Sequence, residues 1–429
     1  MSPPYPLPES ARTEVRPGAA RLFVAACLVS LLAVPAAQHL LPSGDEWGLR
    51  AGPFAGFAAA LVEVWPQASD GSAGGVKALW QANRRIQQSL DDLERGLESS
   101  SLLQEQLLPD VQWLLAAYGG VGNETVYLGD AGWLYLRTGC DYLTGPPFLD
   151  PEVLRRRRLD APAWRPPPQG DPRPALLDLG RQLAARGIHL LVLPVPTKAM
   201  IHPGPLAPRL AARTDRPRLH NPSFDAWRGE LEAHGITVVD PAPILLRELR
   251  ETGREQYLRT DSHWSPAAVD AVARALAERI RELELPFAGP LVDRRRQPVR
   301  LEGVGDLERG LRLPAWQKLY APQEVELQQV HTGRERAEIL LVGDSFSNVY
   351  SRPELGWGRS AGLPEQLSHH LRRPVDRLAL NDGGATGSRR RLAEDMAAGR
   401  DLLAGKRLVI YQFAVRELAA GDWQTVRLP

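Results

Sequence analysis

From residue 174 onward the chain alternates between strand-like and helical hydrophobic patterns. Short segments that are apolar throughout indicate strands buried on both faces, whereas apolar residues recurring every three or four positions indicate helices. The predicted strands are 188–195, 236–239, 338–342, 375–380 and 408–413. The predicted helices are 174–186, 222–234, 266–284, 360–371 and 388–403. This order predicts an α/β domain with a parallel sheet flanked by helices, whose functional residues follow the carboxyl ends of strands.

The N-terminal pattern predicts a membrane anchor. Residues 22–37 carry no charge, and Leu40 and Leu41 extend the apolar stretch to about 20 positions, the length of one bilayer span. Three arginines precede the stretch and two acidic residues follow it, so we expect a cytoplasmic tail (1–21), a single transmembrane helix (22–41) and an external remainder. The alternatives are a cleaved signal peptide, with small residues at 34–37, and a helix buried in a core.

Residues 42–119 are expected to connect this anchor to the folded domain. The first part, 42–75, is rich in Gly, Ala, Ser and Pro, which is typical of a loose juxtamembrane linker. Leucines recur at helical spacing over 76–118, which predicts an amphipathic stalk or a docking hairpin. That stalk either packs on the domain or binds a partner.

The compact domain is expected to occupy residues 120–429. Its first segment, 126–136, is strand-like around a glycine-containing turn at 129–132. Residues 150–173 are rich in proline and arginine and predict a long surface loop, and residues 286–335 predict irregular structure.

Composition and charge exclude several functional classes. The 429 residues carry a formal net charge of +1, so no broad basic field argues for nucleic acid binding. The chain has two cysteines, Cys27 and Cys140, and nine histidines, and none of them shows metal-ligand spacing. We therefore expect neither a metal nor another cofactor.

The first candidate for chemistry is Gly343-Asp344-Ser345, which directly follows the predicted strand 338–342. Glycine permits a sharp turn, and a serine after it would lie exposed at the strand's carboxyl end, where its backbone N–H can face a developing oxyanion. The tripeptide is short, and turns and helix N-termini favour the same residues. The preceding strand is what makes Ser345 a candidate nucleophile.

The second candidate is Asp261-Ser262-His263, which lies just before a helix start. Ser265 and Pro266 are a capping hydroxyl and a first-turn proline, so the Asp-x-His segment is expected in the loop before that helix. Residues two apart in an extended loop project to the same side. A carboxylate there would hold the imidazole's tautomer and stabilise the imidazolium that forms when it takes a serine proton. The other interpretation is a surface histidine with Asp261 as a secondary cap.

Together the two segments resemble the SGNH/GDSL hydrolase superfamily, and within it the periplasmic alginate O-acetyltransferase family. That family is similar to a circularly permuted SGNH enzyme, with its Asp-x-His motif upstream of the serine, as here. Further similar segments are Gly129–Leu136, Leu193–Lys198 and Asn381–Ser388. The resemblance covers approximately residues 120–420 and implies a serine acetyltransferase whose triad is Ser345, His263 and Asp261.

The resemblance also implies partners and a location. The acceptor would be an exopolysaccharide, the acetyl group would come from a separate membrane-bound acyltransferase, and the domain would lie in the periplasm, anchored to a bacterial inner membrane. A carbohydrate esterase with the same triad and a non-catalytic polymer-binding scaffold remain as alternatives. The sequence does not distinguish water from a sugar hydroxyl as the acceptor.

Seven other residues are candidates for holding the oxyanion or the substrate. Gly383, Gly384 and Asn381 follow a predicted strand and could donate to the oxyanion, or could simply form a glycine turn. The candidates for contacting the substrate or lining its cleft are Lys198, Tyr350, Trp264 and Arg416. The alternatives for these four are solvent exposure for Lys198 and ordinary packing for Tyr350 and Trp264.

Overall fold

The computed structural model describes residues 87–91, 107–161, 166–211, 219–289, 291–331, 333 and 335–429. The chain divides into two units, 1–111 and 112–429. The predicted tail and anchor, and most of the predicted linker and stalk, lie outside the described residues. Within the described residues, no helix combines the length and the apolar character needed to cross a membrane.

After a helical segment at 87–91, the described chain continues with helix α1 (Leu108–Gly119) and a small antiparallel hairpin. The hairpin pairs β1 (Val126–Leu128) with β2 (Leu134–Leu136) across a 3-10 turn, as the turn residues at 129–132 predict. Two helices follow, α2 (Arg137–Thr144) and α3 (Pro151–Leu159).

Helix α3 corrects the prediction of a loop over 150–173. Asp150 caps the helix by accepting hydrogen bonds from the backbone N–H groups of Glu152 and Val153, and Pro151 takes the first helical position. Salt bridges from Arg155 and Arg156 to Glu152 then support its exposed face. Pro151 and the arginine run 155–158 therefore belong to a capped, charged helix, whereas residues 166–171 are irregular as predicted.

The middle of the chain supplies helices and strands, and those that were predicted have bounds within a few residues of the prediction. The elements are α4 (Pro172–Ala184), β3 (His189–Val195), α5 (Lys198–Ile201), α6 (Pro208–Ala211), α7 (Phe224–Ala233), β4 (Thr237–Val238), α8 (Ala242–Thr252) and α9 (Pro266–Glu282). Helices α5, α6 and α8 were not predicted. Helix α9 begins as predicted, because the Ser265 side chain accepts from the N–H of Ala268 and Pro266 follows it.

Residues 286–335 are not irregular throughout, which is a second correction. They contain a long antiparallel hairpin of β5 (Arg296–Gly303) and β6 (Gln323–Val330), with the short helix α10 (Asp306–Gly310) between the strands. No residue of β5 is buried, and four of its eight residues are polar or charged. The sequence of β5 therefore contains no apolar run that would predict a strand. On β6, in contrast, the side chains of Val325 and Leu327 alternate into the core.

The C-terminal part completes the main sheet. Its elements are β7 (Ile339–Gly343), α11 (Ser345–Asn348), α12 (Leu363–Leu371), β8 (Val375–Ala379), α13 (Gly387–Ala397), β9 (Leu408–Ala414) and α14 (Glu417–Ala420). Five parallel strands pair in the spatial order β4, β3, β9, β7, β8. Helix α4 packs against β3, and α12 and α13 pack against β8. The predicted α/β architecture with a parallel sheet is confirmed.

The buried parallel sheet explains why the functional residues lie at one of its edges. Every residue of β7 and β9 is buried, and Ile410 in the central strand pairs with Leu191 on one side and Leu341 on the other. Because parallel strands end at the same edge, the segments that follow β3, β7, β8 and β9 meet there. Lys198, Ser345, Asn381 and Arg416 follow these four strands.

Candidate active site

Ser345 is presented by a tight turn between β7 and α11. Gly343 ends the strand, and a Cβ atom there would lie 2.6 Å from Oε1 of Gln412 and 2.7 Å from Oγ of Ser347. Only glycine fits this close approach of β9 without a shift of its neighbours. Ser345 then becomes the first residue of α11, so helical geometry leaves its backbone N–H without an acceptor four residues back.

Asp344 fixes this turn to the neighbouring strand rather than acting on the substrate side. Its carboxylate accepts from the N–H of Phe346 (2.9 Å), from Nε2 of Gln412 (2.7 Å) and from the N–H of Ala414 (2.9 Å). Hydrogen bonds to a charged acceptor are among the strongest in proteins. Asp344 therefore ties the serine helix to the carboxyl end of the central strand.

The imidazole of His263 bridges Ser345 and Asp261. Nε2 lies 2.8 Å from Oγ of Ser345, and Nδ1 lies 2.6 Å from Oδ1 of Asp261. Asp261 and His263 are almost wholly buried, whereas Ser345 is half-buried. With Nδ1–H donating to the carboxylate, Nε2 is free to accept the serine proton. The structure thus brings together the three side chains that the sequence singled out.

Both oxygens of Asp261 are fully used as acceptors. Oδ1 also accepts from the backbone N–H of His263 (2.9 Å), and Oδ2 accepts from Nε1 of Trp357 (2.8 Å) and from the N–H of Asp306 (3.0 Å). Burial alone would raise the pKa of Asp261, but the nearby His263 charge and these hydrogen bonds hold it well below its usual range. Asp261 consequently stays ionised over the pH range in which His263 titrates.

The pKa of His263 is raised above its ordinary value. Burial favours the neutral imidazole, but the charge of Asp261 and its hydrogen bond outweigh burial, and Asp306 and Asp344 act in the same direction. A base with a raised pKa accepts a proton more readily. The environment therefore strengthens His263 as a proton acceptor.

The loop that carries Asp261 and His263 is held by α10 from across the hairpin. The carbonyl of Thr260 accepts from the N–H groups of Leu307 (3.1 Å) and Glu308 (3.3 Å), at the beginning of that helix. A Cβ atom on Gly305 would lie 2.2 Å from the same carbonyl oxygen, so glycine is required by the close backbone approach. The catalytic geometry thus depends on a segment some 45 residues further along the chain.

Trp264 and Tyr350 do not line a substrate cleft, which corrects the prediction for both. Each is fully buried. Nε1 of Trp264 donates to the carbonyl of Phe346 (3.0 Å), and the Tyr350 hydroxyl donates to the carbonyl of Trp264 (2.7 Å). An aromatic ring without an exposed face cannot stack on a sugar. These two side chains instead join the histidine loop to the segment after Ser345.

Lys198 is buried rather than solvated. Its Nζ donates to the carbonyls of Leu134 (2.7 Å) and Arg259 (3.0 Å), and burial lowers its pKa to about 7. It lines a small cavity together with Ser262, Phe346 and Arg416, among other residues. The structure therefore places Lys198 behind the site, where it supports the hairpin β1–β2 and the chain at Arg259.

Arg416 lies at the edge of the site, as its position after β9 predicts. It is half-buried, and its guanidinium lies 5.9 Å from the ring centroid of Phe346, the residue after Ser345. It also faces Glu417, with Nε 3.8 Å from Oε1. A cation at this place is available to an anionic or carbonyl group at the serine, and a role in substrate binding stays a prediction.

The glycine turn after β8 reaches the serine helix through Asn381. Its Oδ1 accepts from Nδ2 of Asn348, at 3.0 Å, and Asn348 is the last residue of α11. Gly384 is exposed with φ +52°, a conformation that favours glycine. Gly383 is half-buried and accepts from the N–H of Gly387 (2.8 Å). The turn is adjacent to the serine helix, and its role at the oxyanion stays a prediction.

One group of described residues has ligand atoms close enough to hold a metal ion. Atoms of Asp261, His263 and Asp306 lie within 4.8 Å of one another. Both oxygens of Asp261 already accept from N–H donors, and Nδ1 of His263 carries the hydrogen that it donates to Asp261. This donor set fits a hydrogen-bonded triad better than a cation site, because a cation would displace N–H donors that point at the same oxygens.

Residues 126–415 match the protein family described as "SGNH hydrolase-like domain, acetyltransferase AlgX". The chain belongs to this family. It is also similar to two proteins named "Probable alginate O-acetylase AlgJ", at 28% identity in Pseudomonas aeruginosa and 29% in Pseudomonas fluorescens. The first similarity covers 38% of this chain and 35% of the relative, and the second covers 41% and 44%. The matched part thus spans less than half the length of each of these relatives.

A solved structure, the O-acetyltransferase domain of Pseudomonas putida AlgJ, resembles the fold of this AlgX-family chain. The TM-score is 0.51 at 20% sequence identity, and the match covers 69% of this chain and 93% of that domain. At this identity the likeness concerns the fold. It agrees with the parallel sheet and with the matched family.

Sequence reasoning missed two residues of this AlgX-family site, Asp306 and Trp357. Both lie in segments where hydrophobic periodicity gives no signal, and both reach Asp261 across long separations in sequence. The one local hint is Val304-Gly305-Asp306, which repeats the tripeptide Val342-Gly343-Asp344. The role of Asp306 can be recognised only in the structure, where the hairpin β5–β6 places it against the histidine loop.

Proposed function

We propose that this chain is an O-acetyltransferase that carries an acetyl group on Ser345 and passes it to hydroxyls of an alginate-like secreted polysaccharide. The observation that carries the proposal is the continuous proton path from Ser345 to Asp261, with distances of 2.8 Å and 2.6 Å on the two sides of His263. The family match and the names of the AlgJ relatives support the choice of acetyl transfer.

In the first half-reaction the Ser345 oxygen attacks the carbonyl carbon of an acetyl donor. Its proton moves to Nε2 of His263, and the new imidazolium is stabilised by Asp261. The carbonyl oxygen becomes an anion that the N–H of Ser345 and the turn at Gly383 and Gly384 would hold. The anion then collapses, the donor's leaving group departs with the proton from His263, and acetyl-Ser345 remains.

The second half-reaction reverses these roles. A sugar hydroxyl gives its proton to His263 and attacks the acetyl carbon, and the bond to the Ser345 oxygen breaks as that oxygen recovers the proton. No metal or redox cofactor is needed for either half. Whether water or a sugar hydroxyl takes the acetyl group depends on what the cleft admits, with Arg416 at its edge.

The setting belongs to the same proposal. The apolar stretch 22–41 would anchor the chain in a bacterial inner membrane, with residues 1–21 in the cytoplasm, a linker and stalk over 42–119 and the acetyltransferase domain, 120–429, in the periplasm. A separate membrane-bound acyltransferase would supply the acetyl groups. The support is the N-terminal charge pattern together with the resemblance of the domain to alginate O-acetylases.

The decisive experiment is transfer by the purified full-length chain. It is incubated with 4-nitrophenyl acetate and with oligosaccharides cut from unacetylated alginate, and the products are weighed by mass spectrometry. We expect acetylated oligosaccharide, together with an acetyl adduct on Ser345 that accumulates when the acceptor is left out. The Ser345→Ala variant should form neither product.

Two other outcomes would replace the proposal. Acetate released at the same rate with and without oligosaccharide, and no acetylated product, would mean an esterase that uses the same three side chains. A chain that binds the oligosaccharide but forms no adduct on Ser345 with any acetyl ester would be a scaffold.

A further inference from the structure

We propose that Asp306 is a positioning residue, which holds the loop of Asp261 and His263 in place and puts a second carboxylate behind the imidazole. The inference rests on the proposed function for its kinetic consequences. Its structural part is independent of that function and is tested separately below.

Asp306 makes three hydrogen bonds to the Asp-x-His segment. Its Oδ1 accepts from the N–H of Ser262 (2.6 Å) and its Oδ2 from the Ser262 hydroxyl (2.5 Å), while its own N–H donates to Oδ2 of Asp261 (3.0 Å). Ser262 is the middle residue of the Asp-x-His segment. One aspartate therefore binds the residue between the two triad members and also one of those members.

The Asp306 carboxylate also lies close to the imidazole of His263. Oδ2 of Asp306 lies 3.8 Å from Nδ1 of His263, and Oγ of Ser262 lies 3.4 Å from the same nitrogen. Nδ1 thus faces the carboxylate of Asp261 directly and that of Asp306 at slightly longer range. At such distances an opposite charge favours the protonated imidazole.

Asp306 is held in place by the backbone around it. It is the first residue of α10, directly after Gly305, whose backbone lies against Thr260. The N–H of Gly305 donates to Oγ1 of Thr260, at 3.1 Å. Asp306 is therefore anchored to the histidine loop by the backbone on both sides of it, which a solvated surface carboxylate would not be.

Other charged groups also face the triad, and they do not make Asp306 redundant. Asp261 comes from the same loop as His263, Asp344 from the end of β7, and the Lys198 ammonium from behind. Asp344 is engaged with β9, and Lys198 opposes the carboxylates. The Asp306 side chain is 38% exposed, and its partial burial together with the charge of Asp261 raises its pKa. As the pH falls, Asp306 therefore takes a proton before Asp261 does.

The role in the reaction follows from these positions. When His263 takes the proton of Ser345, a positive charge forms beside two carboxylates. Asp261 fixes the tautomer of His263. Asp306 adds electrostatic attraction for the imidazolium and, by binding Ser262, holds the loop in place. No atom of Asp306 has to touch the substrate for this role.

The experiment compares Asp306→Asn, Asp306→Ala and the control Glu302→Gln, which removes an exposed carboxylate from β5. The asparagine keeps the shape and an acceptor for the Ser262 N–H but loses the charge. The rate of acetyl-Ser345 formation is measured against pH in each variant. The titration of the His263 imidazole is followed by NMR in the Ser345→Ala background, with its resonance assigned by its loss in His263→Gln.

For Asp306→Asn we expect the His263 titration and the acid limb of the rate to move to lower pH by about half a unit to one unit. The plateau rate should fall by about three- to tenfold, because the base is weaker. Asp306→Ala also releases the loop, so its rate should fall by about 100-fold. Glu302→Gln should leave both the titration and the rate as in the wild type.

Two results would overturn the inference. An unchanged His263 titration in Asp306→Asn would remove the electrostatic role. An Asp306→Ala variant as active as Glu302→Gln would remove the positioning role. Because the NMR titration needs no turnover, it decides the electrostatic part even if the chain transfers no acetyl group, so failure of the proposed function and failure of this inference are distinguishable.

Discussion

Ser345 follows a buried parallel strand, whereas His263 lies in a loop that no strand of the main sheet supports. The serine side is held by the pairing of β7 with β8 and β9, which is a repeated backbone interaction. The histidine loop is closed by one isolated bridge between Tyr257 and Trp264. Its remaining support is a set of individual hydrogen bonds from distant parts of the chain, with Asp306 as an example.

This difference determines how each half tolerates change. A sheet distributes its support over many backbone pairs, so that loss of one side chain leaves the backbone in place. A loop held by a few buried hydrogen bonds loses its geometry when one partner is removed, since an unsatisfied buried group costs about 1–3 kcal/mol. Loss of the Ser345 side chain should therefore affect chemistry alone, whereas substitutions on the histidine side should affect chemistry and stability together.

The largest effect tests the serine side. Ser345→Ala removes the nucleophile but no hydrogen bond on which the sheet depends, so transfer should fall by about 10⁶-fold with the free energy of unfolding nearly unchanged. Rates are measured by acetylation of oligosaccharide, and unfolding by denaturant titration. A variant that loses activity only because it unfolds would contradict the contrast between the two halves.

The next largest effect tests the histidine side. Asp261→Asn should lower the rate by about 10⁴-fold, because the amide no longer fixes the tautomer of His263. Unlike Ser345→Ala, it should also destabilise the fold by about 1–3 kcal/mol, because an amide cannot accept at both positions that now face N–H donors. The paired measurement of rate and unfolding for these two variants is the sharpest test of the comparison.

The same contrast explains what the sequence could predict. Ser345 is recognisable because an apolar strand and a glycine lie just before it. His263 is recognisable because Asp261 and a helix start lie within a few residues of it. Trp357, in contrast, contacts Asp261 from 96 positions away. Such a contact is set by tertiary packing, which hydrophobic periodicity does not encode.

The sequence also did not show whether particular aromatic side chains are buried or exposed. Trp264 and Tyr350 flank the two motifs, and their chemistry suits a sugar-binding surface as well as a core. The structure places both in the core, where each satisfies its polar atom with a backbone carbonyl. The prediction of irregular structure over 286–335 failed for a related reason, because the polar faces of β5 conceal its strand character.

A smaller effect should come from Trp357→Phe. It removes the indole donor to Oδ2 of Asp261 and leaves a small cavity, so we expect a fall in rate of about tenfold and a loss of about 1–3 kcal/mol in the free energy of unfolding. The matched control is Trp423→Phe, which removes a similarly buried indole that donates to the carbonyl of Glu417 at 2.8 Å. The control should lose stability without a comparable fall in rate.

The smallest effect, and the most specific to the histidine side, is the position of the acid limb in the pH–rate profile. The pKa of His263 is raised chiefly because the Asp261 charge and hydrogen bond outweigh burial. The neutral imidazole that accepts the serine proton therefore predominates only above this raised pKa. Activity should be low in mildly acidic buffer and should rise with pH through a midpoint above about 6.5, the ordinary imidazole value.

The midpoint of the pH–rate profile should move only in variants that change the charge near His263. Loss of the Trp357 donor raises the pKa of Asp261 toward its ordinary value but leaves its charge in place near neutral pH, so in Trp357→Phe the midpoint should move little. Trp423→Phe should not move it at all, because no charge near His263 changes. A wild-type midpoint below the ordinary imidazole value would mean that burial outweighs Asp261, and the histidine loop would then not be the electrostatic device that its contacts indicate.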